Sequence, residues 1–333
     1  MRTFGGRRAV ARAPVLLVAL PLLAVAACSG ALDQAHSVQT RLNRIDEVVA
    51  SRVSTPSPST GAAIEVVYDD ADTVRSLSRL VKAVDAVADD EDYPSYRLDL
   101  VPAANEHDRL TVDDSFGGST DQASVLDNWL ATTGALLGDV RYTFEPGTEE
   151  IDVDSGAGIA HDVGEASRIR YGFPGTVWTF RDGASSFVAS GRVSPTDVLL
   201  FQGAQRTVTS EILPAPASAW TLERRDRQVL LDLHVAFPGG PMPPERLTVR
   251  RYGDAVARLS DAAMSVVRVA GLPATIRLIA ATPDGDDDVF GYWVSDRRPV
   301  RGRDPLARGW DLWLAHRGDG FGDRLRQPAG SAT

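Results

Sequence analysis

The stretch AIEVVYDDADTVRSLSRLVKAVDAVA, residues 63–88, decides the fold. It opens with alternation that puts Ile64, Val66 and Tyr68 on one side, the period of a strand with one buried face. From Asp72 to Ala88 the period becomes helical, with Val74, Leu77, Val81 and Val84 forming one apolar stripe. Asp70 and Asp72 place negative charge at the positive end of that helix dipole. A strand followed at once by an amphipathic helix predicts a layered protein, because the stripe must be covered by a sheet. Downstream, Tyr96 to Val101 and Arg109 to Val112 read as a strand pair. A second helix opens at Ser119-Thr120-Asp121-Gln122, a capping-box pattern. It buries Leu126, Trp129, Leu130 and Thr133 and stops near Gly138, and Val140 to Phe144 closes the set.

Strand-helix-strand-strand-helix-strand resembles the ferredoxin-like α+β sandwich, two helices on one face of an antiparallel sheet. The resemblance implies tandem two-layer sandwiches and no particular activity, since this architecture hosts unrelated functions. Upstream, Leu32 to Val49 reads as a leading helix and Ser51 to Ala62 as a loop or flexible hairpin connection. A second set runs through Ile151 to Val153, a helix at Ile159 to Ile169, and a hairpin of Thr176 to Phe180 with Ser186 to Ala189. It continues with a helix starting at Ser194-Pro195 and ends on Trp220 to Leu222. A third set comprises Val229 to Val235, a helix ending near Ala270, Ala274 to Ala280, Val289 to Val294, and a helix from Asp304 to His316. Its closing strand is missing. The expected organisation is therefore residues 32–146, 147–225 and an incomplete 226–317, followed by a loose tail at 318–333. Trp129-Leu130-Ala131 recurs as Trp313-Leu314-Ala315, an echo that supports repetition. The same rhythm also divides into helix-strand-strand units, resembling small bacterial envelope domains that bind surfaces or peptidoglycan.

The N-terminus carries an address. Arg2, Arg7, Arg8 and Arg12 precede the apolar run from Pro14 to Ala27, which ends in Val25-Ala26-Ala27-Cys28. Residues 1–27 resemble a bacterial lipoprotein signal of the high-G+C Gram-positive type. The resemblance implies lipid on Cys28, which becomes the first mature residue at the extracytoplasmic face of the cell membrane. Cys28 is the only cysteine, so an internal disulfide is excluded. The run is broken by Pro21 and falls short of the ~20 apolar residues that span a bilayer. Residues 28–31 leave a short tether.

Composition narrows the partners. The formal net charge of -10 includes the four signal arginines, so the mature chain is more acidic still. Such a balance disfavours nucleic acid and repels an anionic membrane surface, leaving lipid as the membrane contact. The expected partner is an envelope protein or a glycan.

Short catalytic and cofactor signatures are missing: no G-x-S-x-G elbow, H-E-x-x-H helix, phosphate-binding G-x-x-x-x-G-K-[ST] or C-x-x-C occurs. The five histidines are His36, His107, His161, His234 and His316, and none pairs with another at metal-ligand spacing. His161-Asp162 is the most site-like, since a carboxylate beside an imidazole suits a general base, although a surface histidine at a helix start fits the same residues. The acidic runs at Asp69 to Asp72, Asp89 to Asp92 and Asp284 to Asp288 do not fit the alternating acids, central glycine and twelfth-position glutamate of a calcium loop and read as caps and solvated turns. No metal and no cofactor are expected. Six tryptophans offer flat faces for sugar stacking but fit a core equally well. Trp310 and Trp313 stand apart, because no strand is expected after their helix. The function expected is a non-catalytic, lipid-anchored interaction module. Two alternatives are a small-molecule or glycan receptor with a site between modules, and a hydrolase using carboxylates or His161.

Overall fold

Local caps start the helices. After the first strand of the quoted stretch, the Thr73 hydroxyl accepts the Ser76 N–H at 3.1 Å, and the Ser76 hydroxyl accepts the Thr73 N–H at 3.0 Å. Ser194 and Asp197 form the same reciprocal cap downstream, with Pro195 in the first turn. The expected capping box at Ser119 to Gln122 does not form. Asp121 is the N-cap without a side-chain bond, and Gln122 instead accepts the Ser78 hydroxyl of the preceding helix at 2.7 Å. Packing between helices has claimed the side chain that the motif assigned to capping.

The computed structural model describes residues 19–56, 61–69, 71–169, 175–295 and 305–326, with side chains in the first and last helices described between 30 and 319. Most of the expected signal, the Cys28 side chain and residues 327–333 lie outside the described residues. The chain runs α1 (Ala19–Leu42), β1 (Val48–Val53), β2 (Ala62–Tyr68), α2 (Val74–Asp90), β3 (Tyr96–Pro102), β4 (Arg109–Asp113), α3 (Gln122–Ala135), β5 (Asp139–Glu145) and β6 (Thr148–Asp154). It continues as α4 (Ile159–Ala166), β7 (Thr176–Asp182), β8 (Ser185–Ser190), α5 (Pro195–Thr207), β9 (Ala217–Arg225), β10 (Gln228–Val235), α6 (Val249–Arg268), β11 (Ala274–Ala281), β12 (Asp287–Val294) and α7 (Pro305–Arg326). The leading helix ends at Leu42, and the β-branched Val48-Val49 begins a strand where the end of the helix was expected, while the expected loop or hairpin connection contributes the rest of β1 and joins it to β2. At the other end α7 continues past Gly318, so the first part of the expected tail is helical.

The α+β class holds, but separate sandwiches give way to one 12-stranded sheet in sequence order from β1 to β12. A ferredoxin-like module would place β2 between β4 and β5. Here β2 pairs with β1 and β3, while β4 pairs directly with β5. Each helix-strand-strand unit contributes an antiparallel hairpin, and each helix between hairpins carries the chain to a parallel neighbour. Such crossovers share one hand, so the helices fall on one face and pack side by side in chain order. The expected boundaries at 146/147 and 225/226 fall in tight turns of the β5–β6 and β9–β10 hairpins, so hydrogen-bonded sheet runs straight across them.

Spacing explains why the units add without closing on themselves. Two strands advance the sheet by about 9.6 Å, close to the ~8–10 Å between packed helices, so both layers grow at the same rate. The core lies between them. Trp178, Phe180, Phe187, Phe201 and Trp220 form a chain of ring contacts with centroids 5.8 to 6.2 Å apart. Trp129 meets Tyr142 edge-on at 6.2 Å.

Candidate functional surface

With the described helices on one side, alternation along each strand sends the other side chains to a face that no described helix covers. Ile64 and Val66 are buried while Glu65 between them faces out, and the same holds for Asp152 between Ile151 and Val153. Register aligns these outward residues into rows across the strands. One row runs Asp154, Arg181, Ser186, Thr221, Asp232, Arg277 and Tyr292 through consecutive partners. The face is about 50 Å across the strands at ~4.8 Å per step.

Charge on this face is organised into pairs. Arg109 bridges Glu65 at 2.8 Å and Asp99 at 3.2 Å, and Arg97 approaches Asp99 at 3.1 Å. Asp99 also accepts the Thr111 hydroxyl at 2.7 Å, so arginine stems and donors cover a carboxylate that is almost fully buried. Farther along are Arg181 with Asp152 at 3.1 Å, Arg225 with Glu223 at 2.7 Å, and Arg277 with Asp232. Between these groups, Val177, Thr179 and Val188 on β7 and β8 give a half-buried strip of short side chains. An apolar centre with charged surroundings is the usual anatomy of a protein contact surface.

The tryptophans belong to the opposite side. Of Trp310 and Trp313, one ring of which was expected to be exposed as a partner site, Trp310 is completely buried, donates its indole N–H to Leu247 O at 2.7 Å and packs on Phe290. Trp313 is partly buried against it, with the Arg317 guanidinium 5.0 Å from its ring. Trp129, Trp178, Trp220 and Trp293 are all buried, which removes the sugar-stacking platform. The echo of Trp129 in Trp313 is rotated: Trp129 is fully buried above a half-buried Leu130, whereas Leu314 is fully buried and Trp313 is not.

The His161-Asp162 pair also resolves into a structural role. Asp162 is buried and accepts the Leu137 and Gly138 N–H groups at 2.8 and 3.1 Å. His161 sits 3.3 Å from one of those occupied oxygens and is otherwise exposed. The carboxylate therefore fixes the α3–β5 turn. Asp90 and Glu91 from the second acidic run pair with Arg41 at 2.6 and 2.9 Å, tying α1 to α2. Among the described residues no group of three or more metal-ligating side chains gathers.

Several buried polar groups carried no motif. Glu149 accepts from Asn128 at 2.9 Å and from the Tyr142 and Thr176 hydroxyls, joining α3 to β5, β6 and β7. Burial pushes the Asp85 carboxyl upward, reinforced by Asp89 and Asp114, while the hydrogen bond from the Tyr96 hydroxyl at 2.7 Å opposes the shift. Asp108 is raised by the same loss of solvation while accepting the Val140 N–H at 2.7 Å. The faint sequence signal for such groups is an acid or amide at an otherwise apolar-facing position.

Among the described residues no helix is long and apolar enough to cross a membrane. No protein family, curated protein or solved structure matches the chain.

Proposed function

We propose that this chain is a lipoprotein, held by lipid on Cys28 at the extracytoplasmic face of the membrane, that binds another envelope protein through its bare sheet face and performs no catalysis. The observation that carries the reading is the one-sided sheet: a broad face without helices presents an apolar strip among fixed ion pairs. Among the described residues, placing the helices on the other side leaves that face without a helical layer. Residues 28–31, expected as a short tether, lie within α1, so lipid on Cys28 would hold the folded body near the membrane, and the acidic body would not adhere to anionic headgroups on its own.

Site-specific photocrosslinking in intact cells tests this. A crosslinker at Thr179 or Val188 should yield discrete protein adducts, and one at Leu199, exposed on the outer side of α5, should not. Adducts from Leu199 alone, or from none of the three, would remove the sheet face as the binding surface.

A further inference from the structure

A cavity of about 290 Å³ opens between the start of α5 and the α6–β11 connection, lined by Arg192, Ser194, Thr196, Asp197, Leu200, Arg224, Ala270 and Leu272. Its polar wall is built around a nearly buried guanidinium. Arg224 donates Nε to Asp197 Oδ1 at 2.7 Å and Nη2 to Asp197 Oδ2 at 2.9 Å, a two-pronged pair. Nη2 also reaches Arg192 O at 3.1 Å and Nη1 reaches Ser190 O, which leaves one Nη1–H without an acceptor among the described residues. Asp197 is also held from its own helix start, because Oδ2 accepts the Ser194 N–H and hydroxyl at 2.7 Å each. Arg192 is exposed and has no carboxylate partner among the described residues. Two arginines thus line one cavity with a single acid that is already paired with Arg224, a local positive surplus in a chain of net charge -10. The other wall is aliphatic, made by Leu200, Ala270 and Leu272.

The geometry points to a binding site for a small carboxylate with a compact aliphatic group. The carboxylate meets Arg192 and the free Nη1–H of Arg224, and the hydrocarbon lies on Leu200, Ala270 and Leu272. Arg224 is preorganised by its protein partners, so ordering costs fall mainly on Arg192. The cavity is at the small end of ligand sites, which limits the ligand to about eight to ten non-hydrogen atoms. This site is separate from the lipid tether and from the sheet-face partner, and its test requires neither.

Calorimetric titration of the full chain with isocaproate, and with isocaproamide as the uncharged isostere, tests the assignment. Isocaproate should bind with a Kd of about 1 mM, ordinary for so few atoms, and the amide about tenfold more weakly. Arg192→Gln should weaken isocaproate about tenfold without changing thermal stability, since it removes a charge-assisted contact from an exposed side chain. Arg227→Gln, an exposed arginine that does not line the cavity, should bind as the parent does. Undetectable isocaproate binding at about 20 mM overturns the proposal, as do equal affinity for acid and amide or equal losses in the two variants.

Discussion

The carboxylate of Asp311 on α7 accepts the outward backbone N–H of Tyr292 on β12 at 2.8 Å. The last helix therefore addresses the backbone of the last strand in the sheet order. At the opposite edge, Gln39 on α1 donates to Ser51 O on β1 at 2.7 Å, and β1 carries an irregular register between Val48 and Ala50. Unpaired strand edges invite pairing with other chains, and side chains from flanking helices together with bulges blunt that tendency. A sheet built by adding units needs both ends protected, because otherwise a second copy presents a suitable continuation.

Close approach of α7 depends on Gly318, where an added Cβ would lie 2.6 Å from the Trp293 indole nitrogen. Gly318→Val should lower stability by about 1–3 kcal/mol through overpacking. By loosening the edge cap it should also produce concentration-dependent association in light scattering. An unchanged midpoint and a monomeric profile would remove this role from Gly318.

Trp129→Ala should cost about 3–5 kcal/mol in urea denaturation, the range for truncating a buried aromatic. The ring is fully buried and also donates to the Tyr68 hydroxyl at 3.1 Å. Trp313→Ala should cost less, because its ring is only partly buried. Equal losses would contradict the different facing of the two rings.

Asp85 gives a pH dependence with a defined sign. Its folded carboxyl is raised above the ordinary 3.8 by burial, so the native state holds the proton more tightly than the unfolded chain. The stability linked to that proton is fully present below the unfolded value and is lost as pH rises through the folded one. Asp85→Asn retains an acceptor for Tyr96 and cannot ionise. Stability of the variant relative to the parent should therefore increase from acid toward neutral pH in paired denaturation curves. A flat or falling difference would show that desolvation does not dominate at this carboxyl.

Cys28→Ala should move an otherwise folded protein from the membrane to the soluble fraction. Neither an apolar spanning helix among the described residues nor a basic body offers another hold. Equal retention of parent and variant after cell fractionation would defeat the lipid-tether proposal.

Much of the helix-strand-strand rhythm was legible because periodicity and caps are local. The stripe of Val74, Leu77, Val81 and Val84 and the Ser194-Pro195 start each lie within one element, and both form as read. Beta1 was not legible, because Val48-Val49 followed a helical pattern and preceded a proline-rich loop. The site candidates were less readable. His161-Asp162 suggested proton transfer, but the buried Asp162 caps two N–H groups of a turn that lies distant in sequence. Arg192 and Arg224 carried no motif at all; their meeting depends on β8, β9 and the start of α5 arriving at the same end of the sheet.

The sequence by itself determined most helices and strands, the one-sided burial of the strands, and the missing short catalytic motifs. Tertiary structure alone decided that twelve strands form one sheet in chain order, that the expected module boundaries fall in hairpins, and that Trp310 belongs to the core. The physical reason is range. Side-chain alternation and helix capping are set by neighbours a few residues apart, whereas the partner of a strand edge is chosen by competition among distant segments. Here short hairpins and same-handed crossovers bring each new strand to the nearest free edge, where pairing requires the least loop closure.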